Sequence, residues 1–144
     1  FATHGRATWA AYAHLFKHWQ HFAHLQTGGE DFRSKLRIIS ALTPVDSAYD
    51  RALQDASYSL FLEHLYESLA ADQMEGEGFN YGADDPDAPH HPWRVRWDDV
   101  LRHFDLIQNP AQLDSSVFQK TFGELVELID QLVAQSSMSE AAGA

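Results

Sequence analysis

A chain of 144 residues without cysteine is long enough for one domain that buries roughly two thirds of its extended surface, and it excludes disulfides, thiolate metal sites and cysteine nucleophiles. Ten Lys and Arg against 21 Asp and Glu leave a net charge of −11, which opposes binding driven by nucleic-acid backbone or anionic lipid. No apolar run reaches the ~18 residues of a membrane span, so neither a nucleic acid nor a membrane is an expected partner.

Phe1 in place of Met makes the chain a processed product, an expressed fragment or a piece of something larger, and no signal-peptide pattern stands at its front. The lack of cysteine leaves the compartment open, the cytoplasm being favoured. The first helix is expected from about Arg6 to Gln26, with Trp9, Tyr12, Phe16, Trp19 and Phe22 on one broad face. Gly28-Gly29 ends it, and Phe32, Leu36, Ile39 and Leu42 suggest a second, shorter helix. Thr43-Pro44-Val45-Asp46 reads as a variant capping box with proline at the first helical position. Behind it, residues 45–74 hold neither proline nor glycine and predict a long central helix, or one broken near Ser57 or Ser59.

Between Glu75 and Arg96 the periodicity vanishes among three glycines, three prolines and an acidic cluster of Asp84, Asp85 and Asp87. Phe79, Tyr81, Trp93, Val95 and Trp97 mark this irregular segment (75–97) as a loop folded over the helices. Arg94-Val95-Arg96-Trp97 alternates as a short extended piece would, but a separate sheet is not expected. Asp98 or Asp99 opens a further helix carrying Val100, Leu101, Phe104 and Ile107, and Asn109-Pro110 starts a short turn. Ser116 and Gln119 read as a capping box before a last helix of about 117–136, and residues 137–144 are expected to fray. The resulting expectation is all-α: one helical domain, residues 1–144, built as an antiparallel bundle of about four main helices with a long acidic and aromatic loop.

Nine histidines include His14, His18 and His21, whose spacings of four and three place them together opposite the aromatic face. Such a stripe suits Zn, Ni or Cu, since imidazoles one turn apart share an ion. The competing readings are a solvated face and a partner-helix interface. His64 and His103 are the supplementary ligands, and His64 the more apolar candidate for haem. The zincin glutamate is missing from His14-Leu15-Phe16-Lys17-His18, and no Glu-x-x-His accompanies Glu63, Glu67, Glu124 or Glu127 for a diiron site. Glu75 and Glu77 join the acidic loop as hard oxygen donors, without EF-hand order. Arg33, Lys35 and Arg37 form the densest basic run, able to touch a few phosphates or to pair with neighbouring acids.

No catalytic constellation is complete, so the leading expectation is a non-enzymatic helical interaction or assembly-subunit domain that takes a protein partner or a second copy. Its surface would be Phe79, Tyr81, Trp93 and Trp97, because four Trp, five Tyr and nine Phe exceed what one small bundle hides. The alternative is a histidine-based metal or cofactor bundle, with enzymatic activity open. No cofactor is otherwise expected. A third reading is a small-ligand cavity at Phe61, Tyr66, Phe79, Tyr81 and Trp93.

Overall fold

Trp9, Tyr12, Phe16 and Trp19 recur every three or four residues, and that spacing sets the first element. The computed structural model describes residues 5–23, 32–68, 78–102, 105, 107–108 and 114–142, and in it α1 spans Arg6–Ala23. Phe16 is buried and meets Phe61 edge-on, with ring centroids 5.3 Å apart. Trp9, Tyr12 and Trp19 pack on the same core, which also holds Ile38, Leu60, Leu65, Tyr66 and Phe79.

Downstream of α1 the chain leaves the all-α expectation. A single 3-10 turn at Phe32–Lys35 gives way to β1, Ile39–Thr43, which pairs in parallel with β2, Trp93–Arg96. Among the described residues the fold is mixed, with a two-stranded parallel sheet and three α-helices, and it is not an antiparallel helical bundle. The Leu36, Ile39 and Leu42 spacing fits a helix, but backbone hydrogen bonds to a distant segment outweigh it. Trp93 N–H donates to the Ile38 carbonyl at 2.9 Å, and Trp97 N–H to the Thr43 carbonyl at 2.8 Å. Ile39 pairs with Trp93 and Ser40 with Arg94, whereas Arg96 pairs with Thr43 across a bulge. Leu42 sits in that bulge with a φ of 57°, a left-handed conformation costly for a residue with a Cβ.

Parallel strands require a crossover, and α2, Ser47–His64, supplies it. Asp46 is its cap: Oδ1 accepts from Ala48 N–H at 2.8 Å and from Tyr49 N–H at 3.1 Å. Thr43, expected to cap, instead closes β1, its buried hydroxyl donating to Ser40 Oγ at 3.0 Å. The helix expected to reach Met74 ends at His64. Tertiary contacts stop it there. Arg33 Nη1 donates to the Leu65 carbonyl at 3.1 Å, and Glu67 N–H donates to the Phe79 carbonyl at 3.0 Å. Leu65 and Tyr66 N–H still bond back to the Phe61 carbonyl, and at Glu67 the amide partner lies outside the helix.

Residues 78–92 lie irregularly over α2, as expected, and are held there: Gln54 Nε2 donates to the Ala83 carbonyl and Ser57 Oγ to the His90 carbonyl. After β2 only a 3-10 turn, Asp99–Arg102, forms where a longer helix was expected, with Asp98 Oδ1 accepting from Val100 N–H. Phe104 and the Asn109-Pro110 turn lie outside the described residues, as do Gly28-Gly29, Glu75 and Glu77. The last helix, α3, spans Ser115–Ala142 and packs on β2. Asp114 caps it in place of the expected Ser116–Gln119 box, accepting from the N–H groups of Ser116 and Val117 and from Ser116 Oγ. The helix extends to Ala142, and residues 143–144 lie outside the described residues.

Candidate functional site

Arg37 lies just before β1 and Trp93 opens β2, so the parallel pairing brings them together. The Arg37 guanidinium stands over the Trp93 indole, 5.7 Å from the ring centroid. Its Nη1 is anchored on the carbonyls of Ser34 at 2.7 Å and Leu36 at 2.6 Å. Nη2 and Nε donate to no described residue, and no described carboxylate reaches ion-pair distance. Burial lowers the pKa of Arg37, with Tyr81 and Asp87 pulling the other way. The group is a half-desolvated cation that stays charged.

A cleft of about 290 Å³ opens on this pair. Pro86 forms one wall, Leu128 and Leu132 of α3 the other, and Gln131 and Asp87 are its remaining polar groups. The Trp93 indole N–H has no acceptor among the described residues. A guanidinium with donors that no described residue takes, beside Pro86, Leu128 and Leu132, fits a carboxylate, which accepts in the plane of the guanidinium fork.

The neighbouring arginines are committed elsewhere. Arg33 Nη2 pairs with Glu67 Oε1 at 2.7 Å, and its guanidinium stacks over Phe79. Arg94 and Arg96 alternate with Trp93 and Val95 along β2 and enter a network with Asp50 of α2 and Glu124 of α3. That network fixes α3 on the strand and so shapes the cleft wall. The basic run Arg33-Lys35-Arg37, read as a phosphate-touching or pairing face, is divided by the fold: its first member pairs with a carboxylate and its last stands on Trp93. Arg37 was visible in the sequence as a member of that run, but nothing there joined it to Trp93.

Behind α2 lies a second cluster. His90 is fully buried; its Nε2 donates to the Ala83 carbonyl at 3.1 Å, so its Nδ1 accepts from the Tyr66 hydroxyl. Burial lowers the His90 pKa and raises that of Tyr66. A neutral imidazole with both nitrogens engaged is a structural lock and not a base. Phe61, Tyr66, Phe79 and Tyr81 do come together, but ring against ring, with Tyr66 and Phe79 centroids 5.4 Å apart. The open space beside them, about 320 Å³, is lined by Tyr58, Leu62, Asn80 and Tyr81, and Trp93 lies elsewhere.

Of the residues expected to form an interaction surface, Phe79 and Trp93 are buried within the chain, while Tyr81 and Trp97 are half-buried. Trp97 Nε1 donates to Asp99 Oδ1. His14 and His18 are exposed on α1; the side chain of His21, and His103, lie outside the described residues. His64 is buried at the end of α2, 3.6 Å from Glu63 Oε1. Among the described residues no three His, Asp or Glu side chains converge on a common ion, so the histidine-based Zn, Ni or Cu alternative is corrected. The helical interaction-domain reading is corrected too, because the chain folds around a parallel strand pair. No helix among the described residues is long and apolar enough to cross a membrane. Comparison of the chain with known protein families, with curated proteins and with solved structures finds no match.

Proposed function

We propose that the chain binds a small apolar monocarboxylate in the Arg37–Trp93 cleft. One observation carries this reading: a guanidinium partly stripped of water, stacked on an indole and paired with no described carboxylate. Desolvating a cation costs free energy that a counter-ion at contact distance recovers, and Asp87, the one described carboxylate lining the cleft, forms no ion pair with Arg37. Leu128, Leu132 and Pro86 would cover an aliphatic or aryl body. Asp87 on the rim repels a second negative charge, which favours a monoanion over a phosphate or a dicarboxylate. The volume lies at the small end of ligand sites.

Titration calorimetry with 3-phenylpropionate, 3-phenylpropanol and phenylpropyl phosphate tests it. The carboxylate binds, and the alcohol and the phosphate bind at least tenfold more weakly. Arg37→Gln removes charge-assisted hydrogen bonds of about 1.5–3 kcal/mol and weakens the carboxylate roughly 10- to 100-fold. Equal binding of acid and alcohol, or an R37Q variant indistinguishable from the parent, would refute the reading.

A second reading, a protein partner, is favoured by the apolar arc that α3 leaves open. It involves a different surface and is compatible with the first.

A further inference from the structure

α3 carries more apolar surface than β2 covers. At about 100° per residue, Val117, Thr121, Glu124 and Leu128 point to one side, and these are buried or half-buried. Phe118, Ile129, Phe122, Val133 and Val126 fall within a separate arc of about 80°, centred about 130° away. Phe118, Val126, Ile129 and Val133 are exposed. They extend over about 23 Å of helix, four turns without a charged residue in the arc. Phe118, Phe122, Leu125 and Ile129 also follow spacings of four and three, the seam that admits a second helix with knobs in holes.

The charge beside the arc has one sign. Asp130 borders its open edge and Glu127 lies beyond, both exposed. The one basic residue of the α3 sequence, Lys120, is engaged by Asp98 Oδ2 at 2.7 Å. A second copy would oppose acid to acid between two chains of net charge −11 each.

We propose that this arc seats an amphipathic helix of a partner protein whose apolar stripe is flanked by lysine or arginine. Burial of the stripe supplies the attraction, and basic flanks facing Asp130 and Glu127 supply the preference. This goes beyond the carboxylate cleft and does not use Arg37.

Two synthetic 20-residue helices, with the same leucine seam and either lysine or glutamate flanks, are titrated against the full chain by fluorescence anisotropy. The lysine helix binds, and the glutamate helix binds at least tenfold more weakly. Ile129→Asp weakens the lysine helix tenfold or more with the far-ultraviolet circular dichroism retained, and Asp130→Lys narrows the gap between the two helices. R37Q leaves both affinities unchanged, which separates this outcome from that of the cleft. Equal affinity for the two helices, failure of the lysine helix to bind, or a self-association in sedimentation equilibrium that I129D abolishes would overturn the proposal.

Discussion

Arg96 holds Asp50 through two parallel hydrogen bonds, Nη1 to Oδ1 at 2.9 Å and Nη2 to Oδ2 at 3.0 Å. The pair ties β2 to the first turn of the helix that crosses between the strands. Two strands alone are marginal in water, so the sheet depends on what clamps its ends. Arg94 approaches the same carboxylate at 3.3 Å, and Glu124 reaches both guanidiniums from α3.

Asp50→Asn keeps the shape and removes the charge, leaving two arginines to share Glu124. The residues are one-eighth to one-quarter exposed at their side chains, so screening is incomplete and the expected loss is about 2 kcal/mol. Glu124→Gln should cost less, because Asp50 still serves both arginines. Urea unfolding followed by circular dichroism measures both.

Stability should fall with acid in a way traceable to His90. Its folded pKa lies below the ordinary 6.5, so the unfolded chain takes up a proton first. The contribution is complete above about pH 6.5 and is lost as the pH falls through the lowered folded value. His91, also lowered by burial and by Arg94, acts in the same direction. Unfolding free energies at pH 7.5, 6.5 and 5.5 should decline, and His90→Gln should flatten the slope. Tyr66→Phe should cost about 1–3 kcal/mol at pH 7.5, because Nδ1 of the buried imidazole loses its donor.

Leu42 tests the bulge. Its side chain is largely exposed, so little packing is lost on replacement, and its φ of 57° governs the outcome. Leu42→Asn should be neutral or stabilise by up to about 1 kcal/mol, since asparagine tolerates the left-handed region. Leu42→Val should destabilise by about 1–2 kcal/mol, since a branched Cβ worsens the clash. Thermal unfolding of the three proteins distinguishes the cases.

The aromatic side of α1, the irregular course of residues 78–92 and the apolar side of α3 were legible because each rests on neighbours along one stretch of chain. Phe16 and Trp19 share a face by helical spacing alone, and Pro86, Pro89 and Pro92 deny a helix to any sequence that holds them. The candidate site was less legible. Trp93 stood out as an anchor and Arg37 as part of a basic run, but their meeting depends on strand register, which neither segment specifies by itself.

By itself the amino-acid sequence determined the acidic, cysteine-free character of the chain, its helical ends and its proline-broken middle, since these follow from composition and local spacing. The tertiary structure decided that residues 39–43 extend, that α2 stops at His64, and that Arg37 lands on an indole. Those outcomes rest on hydrogen bonds and ring contacts between segments distant in the chain, where Phe79 takes the Glu67 amide and Trp93 donates to Ile38. Periodicity records which side of an element is buried, and it carries no information about the partner that buries it.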